Sequence, residues 1–320
     1  MAVHHRKPVL PRERGPLSLG VSGALRGDHP PPATAAAEGA DAYGDDLQLA
    51  LYTCYELHYR GFDGVDPGWE WDPTLLALRA ALEDRFLTAL RRDAYARQPL
   101  GSLLADLTVE AVGGRSVPEF LEEHGTLDHL RAYAAQRSLY HLKEADPHAW
   151  VLPRLSGRAK AGMAAVEYDE FGGGRADRVH ARLFADLMSD LGLETAYGHY
   201  LDMGYAEMLA LVNAMSLFGL HRRLRGALVG HFATVEITSS PASRRLAGAM
   251  ERTGAGPSAK RFYTEHVEAD AVHEQIVRRE VIGGLLDDEP ELEPDIAFGI
   301  TATSYLEDRL GDRLLTVWGG

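Results

Sequence analysis

Residues 72–89 read DPTLLALRAALEDRFLTA, and their pattern decides the fold class. Asp72 followed by Pro73 is a helix N-cap with proline at the first helical position, where a missing N–H costs nothing. Leu75, Leu78, Leu82, Phe86 and Ala89 then recur at steps of three and four, the spacing of one helix face. The same period predicts helices near 99–110, 117–124, 126–144, 155–170, 176–191, 197–224, 225–235, 241–253, 260–283 and 300–317. Strand-like alternation is nearly absent, so the chain reads as all-α. Residues 1–44 are rich in Pro, Gly, Ala and charge and show no sustained period, which predicts a disordered or extended arm. One helical domain is expected over 45–320, with a helical subdomain over 45–125 as a further division. The stretch Asp287 to Asp295, with six acids and two prolines, predicts an exposed loop before the last helix.

Composition narrows the function. The 320 residues carry 33 Lys+Arg against 47 Asp+Glu, a net charge of −14, which argues against a nucleic-acid binder and its basic face. Cys54 is the single cysteine, so a disulfide framework and a cysteine-rich metal site are excluded. The longest apolar stretch, Leu209 to Leu220, falls short of the ~20 residues that span a bilayer. The N-terminal MAVHHRKPVLPRERGPLSLG lacks the apolar core of a secretory signal, so a cytoplasmic location is expected. There is no HExxH, no P-loop, no GxSxG and no Glu-x-x-His pair. The carboxylates and the 14 histidines remain as the carriers of chemistry.

The strongest constellation is His266-Val-Glu-Ala-Asp270-Ala-Val-His273. On a helix, Asp270 and His273 lie within about 40° and about 20° of His266, so all three leave one face. Two imidazoles and a carboxylate on one face suit a first-row metal. A solvated polar face is the alternative, because Glu265, Glu268 and Glu274 share the segment. Glu236 follows Val229 and Phe232 on an apolar stripe, and a buried carboxylate needs a partner or a metal. An Arg across the bundle would also satisfy it, and Glu207, four residues before Leu211, competes for the same role. The third piece is Glu167-Tyr-Asp-Glu170-Phe-Gly-Gly-Gly-Arg-Ala-Asp-Arg-Val-His180. Each glycine costs a helix about 1 kcal/mol relative to Ala. A straight helix would separate Glu170 from His180 by about 15 Å. If both serve one site, the glycines break or redirect the helix; otherwise the segment is a plain interhelical loop.

Taken together, these pieces resemble the haem-oxygenase-like di-iron oxidases and oxygenases, a family also described as iron-containing redox enzymes. The likeness rests on Glu-aromatic-Gly-Gly-Gly-Arg with His180 ten residues after Glu170, and on Glu236 thirty residues before the His266–Asp270–His273 motif. It extends upstream through Tyr140-His-Leu-Lys-Glu144-Ala-Asp-Pro-His148 and Leu57-His-Tyr-Arg-Gly-Phe62, covering most of residues 45–285. The resemblance implies a seven-helix bundle with additional N-terminal helices, holding two Fe(II) ions in place of haem. Carried over residue by residue, the implied ligands are Glu170, His180, Glu236, His266, Asp270 and His273. Glu144 stands where N-oxygenating relatives bring an additional carboxylate, although Lys143 and Asp146 offer it an ordinary surface pairing. Asp177, Glu265 or Glu268 would accept from the other ring nitrogens of the ligand histidines. Glu56 and His58, beside Tyr55 and Tyr59, would support the ligands or line the pocket, with simple packing as the alternative.

The function so implied is O2 activation at the iron pair to oxidise a small organic substrate, by N-oxygenation or by oxidative C–C cleavage. Its partners would be that substrate, O2, an external reductant and, as a homodimer, a second copy of the chain. Two other readings stand beside it. One keeps the fold without metal, as in cofactor-independent oxidases or thiamine-salvage hydrolases. The other is a helical binding module with no catalysis.

Overall fold

The structure, a computed structural model, describes residues 7–109 and 116–319, without the side chains of Glu268, Asp270 and Ala271. Its helices are α1 (Pro16–Arg26), α2 (Asp45–Glu56), α3 (Pro73–Asp93), α4 (Leu100–Leu107), α5 (Val117–Glu123), α6 (Leu127–His141) and α7 (Asp146–Ala149). They continue as α8 (Gly157–Glu170), α9 (His180–Asp190), α10 (Ala206–Leu220), α11 (Arg225–Thr253), α12 (Pro257–Ile276), α13 (Gly283–Asp288) and α14 (Glu293–Trp318). No strand occurs among the described residues, so the fold is all-α as the periodicity predicts. No described helix is long and apolar enough to cross a membrane.

Asp72 caps α3 as its sequence predicts, its carboxylate accepting from the N–H groups of Thr74 and Leu75 at 2.9 Å each. The stripe Leu75, Leu78, Leu82, Phe86 and Ala89 is buried, so that face packs into the core. At the centre, α11 packs against α12, α14 and α5. Glycines set the α11–α14 crossing: a Cβ at Gly230 would fall on the Ile296 carbonyl, and one at Gly299 on the Ala227 carbonyl. Helix α10 is buried on every side from Met208 to Gly219, as expected of a stretch apolar all round.

Four local readings change. Residues 16–26, within the arm expected to be disordered or extended, form α1 against α2, with Leu17, Val21 and Leu25 buried. The capping comes from outside the segment, where Asp46 accepts from the N–H groups of Leu17 and Ser18 at 2.9 and 2.8 Å. Helix α11 runs unbroken through Pro241, where two helices are expected. Proline there denies Ile237 a hydrogen bond, and packing on three helices outweighs the loss. Helix α10 starts only at Ala206, after an irregular stretch with a short turn at Leu201–Met203. The acidic stretch is largely helical, because α14 begins at Glu293. Glu293 and Asp295 in its first turn complement the helix dipole.

Candidate metal centre

Five segments deliver the candidate residues. Helix α6 ends at His141, and the turn after it carries Glu144. Helix α8 ends on Glu170, α9 begins on His180, α11 carries Glu236 and α12 carries His266 and His273. Between α8 and α9, Gly172, Gly173 and Gly174 adopt φ of 74°, 61° and 80°, the left-handed region that favours glycine. A Cβ at Gly172 would stand 2.6 Å from the Val179 nitrogen, so the chain doubles back tightly. The tyrosine hydroxyl of Tyr168 closes the turn by donating to the Gly173 carbonyl at 2.7 Å. Helix α8 therefore breaks where the glycines stand, and His180 Nδ1 returns to within 2.7 Å of Glu170 Oε2.

Two groups result. Ligand atoms of Glu144, Glu170, His180 and His266 lie within 4.8 Å of one another, and so do those of Glu170, Glu236 and His273. Glu170 belongs to both, and its oxygens divide between them: Oε2 faces His180, while Oε1 lies 3.8 Å from His273 Nδ1. All six residues are 9% exposed or less. Asp270 lies on α12 between the two histidines, but its side chain is outside the described residues.

The donor chemistry fits a cation. His266 Nδ1–H donates to the Phe262 carbonyl at 2.7 Å, which leaves the Nε2 lone pair facing Glu144 Oε2. Those two atoms are buried, lack a hydrogen-bond partner and stand 4.0 Å apart. Facing lone pairs with nothing between them are costly to bury, about 1–3 kcal/mol per unsatisfied group. A first-row metal with bonds of about 2.0–2.2 Å to nitrogen and oxygen spans such a gap. His273 presents Nδ1 to Glu236 Oε2 at 3.0 Å and Nε2 to Asp169 Oδ2 at 3.3 Å. A carboxylate behind the imidazole is the usual means of fixing a ligand histidine.

Charge is tightly arranged around the groups. Burial alone would raise the Glu144 carboxyl, but the His141 ring beside it holds it at about 2. His141 Nδ1 lies 3.0 Å from Glu144 Oε1. Glu167, one turn before Glu170, is pushed up to about 9 by burial, then by Glu170 and Glu236. Neither of its oxygens has a hydrogen-bond partner. A cavity of about 700 Å³ reaches the centre, its wall including Tyr140, Glu144, Glu170, Glu236 and His266.

Other candidates lie elsewhere. Glu207, in the first turn of α10, lines a separate surface cleft with Arg14 and Arg313. Asp177 is exposed and pairs with Arg175 at 3.1 Å, and Glu265 pairs with Arg261 at 3.4 Å. The side chain of Glu268 is outside the described residues. Lys143 does not pair with Glu144; it is buried against Glu56 at 2.6 Å, where the Tyr197 hydroxyl also donates at 2.8 Å. His58 pairs with Glu70 at 3.2 Å and with Arg79, so it supports the surrounding helices rather than the centre. His141, Asp169 and Glu167 went unread in the sequence. His141-x-x-Glu144 places its two side chains one turn apart, a signal of the Glu-x-x-His kind in reverse order. Asp169 carries no such signal.

The family described as iron-containing redox enzyme matches residues 131–308, from α6 to α14, which contain every residue of both groups. No curated protein matches the chain.

Proposed function

The chain belongs to the haem-oxygenase-like family of iron-containing redox enzymes, and from that premise we propose that it is a non-haem di-iron oxidase or oxygenase. The observation that carries the proposal is Glu170, whose two oxygens face two different groups of donors. A carboxylate so placed suits a two-metal site with one shared ligand. In this reading Glu170 is shared, Glu144, His180 and His266 hold one ion, and Glu236 and His273 hold the other. The family resemblance adds Asp270 to the set. Two bound Fe(II) ions would supply the electrons that reduce O2.

The chain's own groups define the surroundings of that chemistry. Asp169 and the Phe262 carbonyl orient the two α12 imidazoles. Burial and the carboxylates of Glu144, Glu236 and Glu170 keep the Tyr140 phenol protonated, so its O–H stays a donor in the cavity wall. In this reading a small organic substrate would meet the centre in the cavity that Tyr140, Glu144 and His266 line. O2, an external reductant and that substrate are the partners this chemistry requires.

Anaerobic Fe(II) titration of the purified chain, followed by removal of free metal and iron assay, tests the proposal. Uptake is expected to approach about two ions per chain. Glu170→Ala is expected to lose both, whereas His273→Ala retains about one. A wild-type chain that takes up no iron, or a Glu170→Ala variant that still holds two ions, overturns the assignment.

A further inference from the structure

The two oxygens of Glu144 have different surroundings. Oε2 lies 4.0 Å from His266 Nε2 and is buried without a hydrogen-bond partner. Oε1 lies 3.0 Å from His141 Nδ1. A carboxylate offers only lone pairs, so the ring nitrogen that faces it carries the proton and donates. His141 thus takes one oxygen and leaves the other bare. Three elements hold His141 to that contact. It ends α6 three residues before Glu144, and the Glu144 N–H closes the turn by donating to the His141 carbonyl at 3.4 Å. Its ring centre lies 4.6 Å from that of Phe184 on α9 and 5.2 Å from that of Phe262 on α12. Phe184 stands one turn after His180, and Phe262 one turn before His266. The helices that carry two histidines of this donor group therefore also carry the rings that clasp His141.

We propose that His141 is a positioning residue that holds Glu144 to ligation through one oxygen and so keeps a coordination position on that ion free. This rests on the reading that Glu144, Glu170, His180 and His266 hold an ion. A carboxylate bound through both oxygens fills two positions, and one bound through a single oxygen fills one. With Oε1 engaged by the Nδ1–H, Glu144 offers Oε2 alone. Hydrogen bonds to an ionised acceptor are roughly twice as strong as neutral ones, so Oε1 is not readily surrendered to a metal. The position that the second oxygen would fill is left to a small exogenous ligand. Catalytic metal sites depend on such a free position, whereas structural sites are closed by protein ligands.

Azide binding to the Co(II)-loaded protein, followed by the visible absorption of Co(II), tests the proposal. His141→Phe keeps a ring against Phe184 and Phe262 and removes the N–H. His141→Asn removes the ring and keeps an N–H where Nδ1 stands. His141→Phe is expected to bind azide about tenfold more weakly than the wild type, and His141→Asn within about threefold of it. A residue that only packs gives the opposite order. In a Glu144→Ala background His141→Phe is expected to change nothing further, because His141 acts through Glu144. Wild-type azide affinity in His141→Phe overturns the proposal, and so does a tenfold loss in His141→Asn. A loss that persists without Glu144, or a wild type that loads Co(II) but binds no azide, overturns it as well. A chain that holds a single Co(II) and keeps the expected order of variants sinks the two-ion reading alone. A chain that holds two ions without that order sinks only the role of His141.

Discussion

Two adjacent residues, Lys143 and Glu144, leave the same turn in opposite directions. Lys143 enters a closed box, its ammonium 2.6 Å from Glu56 Oε2 and 4.6 Å from the ring centres of both Tyr52 and Tyr59. Glu144 faces the imidazoles of the candidate centre. The divergence is made by a turn that ends on Ala145, a non-glycine residue at φ 73°. Such a conformation costs about 1–2 kcal/mol and persists only where its surroundings hold it. The buried pair at Lys143 is one such hold. Lys143→Met is expected to destabilise the fold by about 3–5 kcal/mol in urea unfolding, because Glu56 is left buried and uncompensated. A loss below about 1 kcal/mol would show that solvent reaches Glu56. The surface pairing that Lys143 and Asp146 offer Glu144, the alternative to its place among the ligands, does not form at Lys143, for a tertiary reason. Glu56 is 87 residues away, and no local period reports which buried anion a lysine meets. Asp169 was hidden similarly: it neighbours Glu170 but reaches His273 from another side of the helix.

At the scale of an element, the segment from α8 to α9 shows what local sequence does report. Three glycines inside helical sequence call for a break, and the break is what carries His180 back to Glu170. The demand is twofold at Gly172, which combines positive φ with a backbone at 2.6 Å from any Cβ. Gly173 shares the positive φ, but a Cβ there would meet only the Tyr168 ring, at 3.8 Å. Gly172→Ala is therefore expected to lower Fe(II) stoichiometry more than Gly173→Ala does, while far-UV circular dichroism stays helical in both. Equal stoichiometry in the two variants would mean that the turn does not place His180. Elsewhere element boundaries drifted where tertiary contacts decided them. Pro241 reads as a helix end, yet α11 continues because its neighbours hold both halves. Helix α1 reads as loose because its stripe is short and its cap, Asp46, belongs to α2.

Across the whole molecule, burial has set two histidines outside the centre to titrate against the fold. His148 and His231 are 2% and 1% exposed, with ring centres 5.2 Å apart. His231 Nδ1–H donates to the Thr303 hydroxyl at 2.9 Å, which in turn donates to the Gly299 carbonyl at 2.8 Å. Burial lowers His148 to about 4, with the Glu144 carboxylate pulling weakly the other way, and lowers His231 further, with His148 adding to the effect. Both folded-state values lie below the unfolded value near 6.5, so the unfolded chain binds more protons in that window. The stability each contributes is present above about pH 6.5 and lost as pH falls toward its folded pKa. For His148 alone the loss between pH 7 and pH 5 is about 2 kcal/mol. His148→Gln removes that titration, so the gap between wild type and variant in urea unfolding should shift by about 2 kcal/mol in the variant's favour between those pH values. His148 lies outside both donor groups, so the shift should appear in the metal-free chain. A constant gap would mean that His148 is protonated inside the folded protein, with Glu144 as its counterion.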